Sequence, residues 1–552
     1  MAIKIFKNGI IHTLEDEQPT VQSVVIKEGR IIAVGDDILK DYVEEASKII
    51  DLNGKCMIPG FYDSHGHFTM AGAFYQYMLD LSPAPIGVVK SVADCQQKLK
   101  DYISVHPNKK FILGWGYNEQ EIAEKRHLTK ADIDAVSEDR MVLILHASNH
   151  IAYANSLLLE TVGYHKDTPN PVGGIIHKDP LTGELDGLLE ERAYMEMPLP
   201  QEYLLEMHRC FMGDRDSIEY ISEQYTKMGI TTANEGSGFG VESLQMIHEA
   251  AESKQLKIRL TVNERYPLHR QCASVDCHPF IHLHGAKFLC DGSIQCYTAY
   301  VSQPYFHAPK DIKENASTMP KEQLEKIVDD LYAESVQPIC HCNGDMTIEL
   351  YLDAIEKAQK NHPDVKNLRP LIIHSQMATY QQICRMKQLG ALPSFFHLHT
   401  YYWGDKHREI FLGGERAENL NPIHWAMQEH LPFTTHCDTP VVPQTPLLSI
   451  WSCVNRQTSS GKVLGSHQCV DIITALKAYT LYAAYQYHED IDKGSIAVGK
   501  LADFTILAED IYKCPKEKIK DIEVLGTIVD GEIVYKKVCD ETFTSNKKDN
   551  HA

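Results

Sequence analysis

Two histidines at the end of a short apolar segment have the spacing of a metal-ligand pair. His65 and His67 lie at the end of the segment 59–67, which has the pattern of a β-strand. Because successive strand side chains point to opposite faces, His65 and His67 project the same way. Neutral imidazole binds Zn²⁺ and similar ions, and a catalytic site also needs further ligands and an open position for water. This pair therefore predicts half of a metal site.

The spacing alone favours this pair only modestly, because the chain contains 28 histidines. The same His-x-His spacing recurs at His282/His284 and at His397/His399. The value of the first pair depends on whether complementary ligands are found at the ends of other strands.

Eight predicted strands alternate with helical patterns between residues 58 and 489, as parallel βα units require. They are 59–67, 229–234, 257–263, 286–290, 337–341, 369–374, 391–396 and 432–437. Eight such units predict an α/β fold, a TIM (β/α)8 barrel, with its active site at the carboxyl ends of the strands. The alternative is a doubly wound open sheet, but the Ser-His-Gly-His segment at 64–67 is not the Gly-rich phosphate turn that it requires.

The carboxyl ends of later strands supply candidate ligands. Lys287 lies in the fourth predicted strand, His341 and His374 end the fifth and sixth, and Asp438 follows the eighth. All of them converge with the first histidine pair on one rim of a barrel, which favours a functional site.

The other two histidine pairs are placed less favourably by this pattern. His282 and His284 precede the fourth predicted strand, on the opposite side of the barrel. His397 and His399 follow the seventh strand, in a loop on the correct face, where they either touch substrate or belong to an ordinary surface loop.

Residues outside the eight strands predict additional parts of the fold. Both ends of the chain, 1–57 and 490–540, alternate short β patterns with turns, which predicts one small β-sandwich built from both termini. Roughly 140 residues separate the first and second strands, far more than a βα loop needs. We predict that 70–210 form an α/β lid insertion at the barrel mouth, and that the polar tail at 541–552 is disordered.

Three lid residues are candidates for substrate binding: Trp115, Tyr117 and His150. Each is also compatible with ordinary packing inside the lid.

Composition limits the classes of partner. The 54 basic and 75 acidic side chains give a net charge of −21, and no basic stripe is evident, so nucleic acid is not an expected partner. The amino terminus lacks the apolar core of a signal peptide, and no apolar run reaches membrane-spanning length. The 15 cysteines include no CxxC pair, which favours reduced thiols. We therefore expect a cytoplasmic protein that acts on a small molecule and does not bind membranes.

Several motifs resemble the amidohydrolase superfamily of metal-dependent hydrolases. More narrowly, they are similar to amidohydrolase family 3, the YtcJ-like group that includes N-substituted formamide deformylase. The similar stretches are KFLCDGSIQCYTA at 287–299, HCNGD at 341–345, IIHSQ at 372–376, CDTPVVPQTPL at 437–447 and GSIAVGKLADFTIL at 494–507. Two lid stretches also match, NHIAYANS at 149–156 and GGIIHKDPLTGELDG at 173–187.

The resemblance implies two divalent metal ions, expected to be zinc. His65, His67 and Asp438 would bind one ion, and Asp438 would also transfer the proton during hydrolysis. His341 and His374 would hold the other, and Lys287 would bridge the two as a CO2-derived carbamate. From residue type alone, the lysine is an ordinary strand residue, since an ammonium cannot ligate a cation. The resemblance also makes a homodimer a possible oligomeric state.

The chain departs from the family pattern at two places next to expected ligands. His436-Cys437 replace the usual Gly-Ser pair before the closing aspartate, and Ile373 replaces a glutamate. These changes leave the expected ligands intact and put the substrate in question.

The leading functional prediction is hydrolysis of a linear amide C–N bond by a metal-bound hydroxide, in an N-substituted formamide or another N-acyl amine. The alternative is a mononuclear aminohydrolase that deaminates a small aromatic or heterocyclic amine, which needs no bridging lysine. The third is an inactive barrel that serves as a scaffold or regulatory protein.

Overall fold

The computed structural model describes residues 3–148, 150–275, 278–309, 316–537 and 544–547. It divides into two compact units, each treated by itself below. The first contains residues 1–68, 222–439 and 443–552, and the second contains Thr69–Ile221 with Pro440–Val442.

The largest sheet of the first unit has eight strands that pair in parallel, each with its neighbour in sequence. Across the sheet they are Thr434–Thr435, Leu392–Phe395, Leu371–His374, Pro338–Cys342, Ile281–Leu289, Arg259–Arg265, Ile230–Gly238 and Phe61–Tyr62. Each of the eight predicted strands overlaps one of them, but the first covers only Phe61–Tyr62, so His65 and His67 follow this strand and do not lie on it as predicted. Strands such as Leu371–His374 are buried along their whole length, as parallel strands covered on both faces are.

Helices follow most of these strands. Tyr380–Leu389 shows how the sequence sets their limits, because Thr379 and Gln382 form a capping box and Gly390 ends the helix at φ 65°. The α-helices of this unit are Val241–Glu252, His269–Cys272, Lys321–Ala333, Asp345–Asn361, Tyr380–Leu389, His399–Lys406, Gly414–Glu418, Ile423–Gln428, Pro446–Asn455, Ile472–Ala478 and Leu481–Gln486. It also contains 3-10 helices at Leu39–Asp41, Ser466–Gln468 and Lys516–Asp521 and a π-helix at His407–Phe411.

The chain segments that leave the first and eighth strands are joined by hydrogen bonds. The amide of Asp438 donates to the carbonyl of His65 at 3.1 Å, and the amide of His67 donates to the carbonyl of Thr439 at 2.7 Å. One residue earlier in the eighth segment, the amide of Cys437 donates to the Asp63 carboxylate at 3.4 Å. The carboxyl ends of these two strands are therefore adjacent.

The structure corrects the placement of the other two histidine pairs. The fourth strand begins at Ile281, so His282 and His284 lie in its amino-terminal half and not before it. Gly285, at φ 61°, interrupts the regular pairing of this strand at a register shift. His397 and His399 are buried and not in a surface loop, because a helix begins at His399.

Two further sheets are built from both ends of the chain. One has the order Glu532–Lys536, Val524–Val529, Phe504–Leu507, Cys56–Pro59, Ile10–His12 and Thr20–Val21, and the other Thr544–Lys547, Ala46–Asp51, Ile3–Lys7, Ser23–Lys27 and Arg30–Gly35. Phe6 and Phe504 meet edge to face at 5.6 Å, in an apolar cluster with residues from both ends. Within the tail that we predicted to be disordered, Thr544–Lys547 instead pair with Ala46–Asp51, and the other residues of 541–552 lie outside the described part.

The second unit contains a mixed six-stranded sheet. Its order is Gly174–Lys178, Leu185–Glu191, Ile151–Ala154, Met141–His146, Phe111–Tyr117 and Leu79–Asp80. The helices of this part of the chain are Phe68–Tyr77, Val92–Val105, Lys130–Asp134, Ser156–Thr161, Arg192–Met195, Gln201–Met212 and Arg215–Lys227, with a short turn at Glu119–Glu121. Two apolar clusters contain side chains of this sheet.

The helices and the cysteines can be described for the described residues of both units together. None of their helices is long and apolar enough to cross a membrane. Their thirteen cysteines are all free, as the sequence predicted for reduced thiols.

Candidate metal centre

Three predicted ligands meet where the first and eighth strands end. Asp438 Oδ1 lies 3.5 Å from Nε2 of His65 and 3.5 Å from Nε2 of His67. The three ligand atoms all lie within 4.8 Å of one another. Asp438 Oδ1 is buried and has no hydrogen-bond partner in the described part of the chain. A buried carboxylate oxygen that faces two imidazole nitrogens in this way fits a bound cation.

Two further histidines form a pair on the neighbouring fifth and sixth strands. His341 Nδ1 lies 3.0 Å from His374 Nε2. The other ring nitrogen of His341 lies 3.2 Å from the carbonyl oxygen of Gly292, which can accept its proton. In that tautomer, Nδ1 of His341 presents its lone pair towards His374, as a metal ligand requires.

Asp291 holds the loop that carries Gly292, and the sequence analysis did not identify it. Its buried carboxylate accepts hydrogen bonds from the amides of Asn343 at 3.0 Å and Gly344 at 2.8 Å, and from the Thr347 hydroxyl at 2.8 Å. These bonds connect the ends of the fourth and fifth strands. The position of Asp291 in the Cys-Asp-Gly sequence directly after the fourth strand could have indicated a role at the carboxyl ends of the strands.

Lys287 lies beside the first group of ligands. Its Nζ is 3.4 Å from His65 Nε2, and the residue is 3% exposed. Burial lowers the pKa of the Lys287 amine to about 8, while the nearby Asp438 carboxylate opposes that shift. Burial therefore favours the neutral amine more than it would be favoured in water.

Burial also sets the charge of the other groups. It lowers the pKa of His67 and of His341 to about 3, and the Lys287 charge acts in the same direction. The pKa values of His65 and His374 fall well below the usual range for the same main reason. Burial raises the pKa of Asp438 to about 6. Without a metal, the imidazoles are thus neutral, which is the form that binds metal ions.

The backbone at two of these ligands is in the left-handed region. His374 has φ 75°, the following Ser375 has φ 47°, and Asp438 has φ 54°. Each such residue costs roughly 1–3 kcal/mol, so the surrounding structure must hold it in place. The amide of Ser375 does so by donating to the carbonyl of Cys342 at 3.0 Å, as the amide of Asp438 does with His65.

His436 is a neighbour of these ligands that the sequence analysis treated only as a departure. Its Nε2 lies 3.2 Å from His374 Nδ1, and its Nδ1 lies 3.0 Å from the Ser394 hydroxyl. The residue is fully buried. It stands two residues before Asp438 in the sequence, but no local pattern records its contact with His374.

The three predicted substrate-binding residues all lie in the second unit. Gly116, at φ 87° beside a register shift, sends its two neighbours to opposite faces of the sheet. Trp115 packs on Phe74 at 5.5 Å, whereas Tyr117 packs on Tyr153 at 5.1 Å, in a different apolar cluster.

His150 is largely exposed, and its Nδ1 lies 2.8 Å from a carboxylate oxygen of Glu191. Substrate binding by Trp115, Tyr117 or His150 stays a prediction.

Known proteins resemble the chain over nearly its whole length. The Bacillus subtilis protein YtcJ is 26% identical over 97% of this chain and 99% of its own length. The N-substituted formamide deformylase of Arthrobacter pascens is 25% identical over 96% of this chain and 98% of its own length. The solved structure of an uncharacterized metal-dependent hydrolase from Pyrococcus horikoshii shares the fold, with a TM-score of 0.74, 23% identity, and coverage of 93% of this chain and 99% of that one.

The family model described as "Amidohydrolase family" matches residues 48–535, which include the candidate metal centre and most of both units. The chain therefore belongs to the amidohydrolase family and is a hydrolase that acts on carbon–nitrogen bonds.

Proposed function

We propose that the protein hydrolyses a linear amide C–N bond, in an N-substituted formamide or another N-acyl amine, with two divalent metal ions that we take to be zinc. The observation that carries the proposal is the unpartnered Asp438 carboxylate oxygen, 3.5 Å from both His65 Nε2 and His67 Nε2. The similarity to N-substituted formamide deformylase supports the choice of substrate.

The two groups of side chains would hold one ion each. His65, His67 and Asp438 would hold the first, and His341 with His374 would hold the second. A bound divalent metal would supply a Lewis acid that makes hydroxide available near neutral pH and polarises the substrate carbonyl.

Lys287 would supply the charge that the second position lacks. His341 and His374 are both neutral, so a cation held by them alone would have few ligands and no anionic one. A neutral amine adds to CO2 and releases one proton, which gives an anionic carbamate with two oxygen ligands. The lowered pKa of Lys287, about 8, favours the neutral amine that this reaction needs.

Asp438 would move the proton. Its carboxylate accepts the proton of the attacking water and returns it to the departing amine nitrogen, so that amide and water become acid and amine. Burial raises the pKa of this carboxyl to about 6, which makes it a stronger base than an exposed aspartate.

We also propose that the eight-stranded sheet closes into a TIM barrel. The hydrogen bonds of His65 and His67 with the segment after the eighth strand support that closure, because they join the two edge strands at their carboxyl ends.

One observation favours a single metal and therefore the aminohydrolase alternative. At this site, His65, His67 and Asp438 form a group of three ligands, whereas His341 and His374 form only a pair. With one ion, the second pair would be free to hold an aromatic or heterocyclic amine for deamination.

A substrate screen with the metal-loaded protein tests the proposal. N-formyl amines, N-acyl amines, cyclic amides and heterocyclic amines are supplied in parallel, and both product amine and ammonia are recorded. We expect an amine and a carboxylic acid from the linear amides. Ammonia from the heterocyclic amines with no cleavage of linear amides would overturn the proposal in favour of the alternative.

A further inference from the structure

We propose that His436 is a positioning residue that fixes the tautomer of His374 and thereby sets the affinity of the second metal position. The inference rests on the proposed metal binding and not on the identity of the substrate. It follows from a continuous series of buried hydrogen bonds that ends at His374.

The series crosses the eighth, seventh and sixth strands. Its five contacts are Gln486 Nε2 to the Ser64 carbonyl at 3.3 Å, Gln486 Oε1 to the Thr434 hydroxyl at 2.7 Å, Thr434 to the Ser394 hydroxyl at 2.8 Å, Ser394 to His436 Nδ1 at 3.0 Å, and His436 Nε2 to His374 Nδ1 at 3.2 Å. All six residues are buried, so water does not compete for these groups.

The direction of the first bonds is fixed by the Ser64 carbonyl, which can only accept. The Gln486 amide nitrogen must therefore face it, and Gln486 Oε1 must accept the hydrogen of Thr434. Since a hydroxyl has one hydrogen, Thr434 cannot also donate to Ser394. We therefore infer that the Ser394 hydroxyl supplies the hydrogen of this 2.8 Å contact, and its oxygen is left to accept from His436.

The tautomers of both histidines follow from this direction. His436 carries its proton on Nδ1, which donates to Ser394, so its Nε2 can only accept. His374 then carries its proton on Nδ1 and donates it to His436. The lone pair of His374 is left on Nε2, the atom that lies 3.0 Å from His341 Nδ1.

His374 presents its lone pair to this space through His436. His341 does the same when its Nε2 donates to the Gly292 carbonyl at 3.2 Å; the Asn343 amide nitrogen, which donates to that carbonyl at 2.8 Å, lies 3.0 Å from the same Nε2. Two lone pairs 3.0 Å apart repel each other unless a cation binds between them. His436 thus keeps His374 ready for a metal and prevents it from donating to His341 instead.

The usual partner of a metal-ligating histidine is a carboxylate, a backbone carbonyl or water. Here the partner of His374 is a neutral imidazole, which orients the ring without adding negative charge. Loss of such a partner typically weakens metal binding by about 10- to 100-fold.

The test compares two substitutions at His436 in the full-length protein. His436→Leu removes the acceptor, whereas His436→Gln keeps a side-chain oxygen that can accept from His374. Zinc per chain is measured by mass spectrometry, and zinc affinity by competition with a chromogenic chelator. We expect two zinc ions per chain in the wild type, with the weaker one bound about 10- to 100-fold less tightly in His436→Leu and close to wild type in His436→Gln.

His407→Leu is the matched control. It removes another fully buried imidazole, whose Nε2 lies 3.3 Å from a histidine nitrogen, His399 Nδ1. We expect this variant to keep wild-type zinc affinity at both positions.

A Ser394→Ala variant should have a zinc affinity between those of the two His436 variants, because His436 loses the acceptor that fixes its own proton.

Three results would overturn the inference. One is wild-type affinity for both zinc ions in His436→Leu, and another is an equal loss in the Leu and Gln variants, which would indicate packing alone. A single zinc per chain in the wild type would also overturn it. Because zinc is counted without substrate, a protein that binds two ions but cleaves no amide contradicts the proposed function and leaves the role of His436 standing.

Discussion

Asp438 Oδ1 lies equally far, 3.5 Å, from the ring nitrogens of His65 and His67, although no hydrogen bond joins it to either ring. A carboxylate in that position can both bind a cation and exchange a proton with a water molecule beside it. These two roles can be separated, because an amide is a poor base but still offers a ligand oxygen.

Asp438→Asn should retain most of the bound metal, since the histidines remain, yet lower turnover by about 10²- to 10⁴-fold, the usual scale for general acid–base catalysis. Metal content and initial rates of amide cleavage are measured on the same preparation. Asp353→Asn, on the exposed side of Asp345–Asn361, serves as the control. Full activity in a metal-replete Asp438→Asn protein would exclude the proton-transfer role.

Lys287→Ala should lower the metal content from two ions towards one, because His341 and His374 alone offer a second ion no negative charge. Short carboxylates such as formate or acetate should restore part of the activity by filling the vacated space. Lys287→Arg is the control, since it keeps a cation that cannot form the carbamate. Two tightly bound ions in the alanine variant would show that the lysine is not a bridge.

The metal-free protein should lose stability as the pH falls below about 6.5, the usual pKa of histidine. Burial holds the pKa of nine histidines below that value, namely His65, His67, His284, His341, His374, His397, His399, His407 and His436. The unfolded chain therefore binds more protons than the folded chain in this range. Three buried carboxyls act in the opposite direction but are fewer: burial raises the pKa of Asp63 and of Asp291 to about 7 and that of Asp438 to about 6.

The contribution of one histidine can be isolated with His407→Leu. Burial lowers the pKa of His407 to about 3, so its stabilising effect is complete above pH 6.5 and is lost as the pH falls towards 3. Removing it should reduce the pH dependence of the unfolding free energy by about 1.4 kcal/mol per pH unit between pH 4 and 6. Urea unfolding of both metal-free proteins at several pH values measures the difference, and parallel pH profiles would contradict the assignment.

Trp115→Ala should destabilise the second unit by about 3–5 kcal/mol, because the indole packs against Phe74 and Tyr75 in an apolar cluster. Metal content should stay at the wild-type value. Trp115→Phe keeps an aromatic ring and should recover most of the stability. A change in the range of accepted amides in the stable phenylalanine variant would favour the predicted substrate contact over a packing role.

The strands and the ligands at their ends were predictable because each depends on local sequence. His341 and His374 end short apolar runs, and the period of a strand fixes which side they face. Bulges were not predictable in the same way, since Gly116 and Gly285 reverse side-chain direction or interrupt a strand through a single positive φ. His436 was missed because its partners His374 and Ser394 come from two other strands, and no local pattern records that contact.

The sheets built from both termini have a consequence for synthesis on the ribosome. Cys56–Pro59 pair with Phe504–Leu507. This pairing cannot form until roughly 450 further residues have been translated. At 5–20 residues per second, that delay is about 20–90 s. During this time the edge of Cys56–Pro59 has no native partner on that side, and unpaired strand edges promote aggregation. Chaperones that bind nascent chains are therefore expected to matter more for the yield of this protein than for one whose sheets form from consecutive strands.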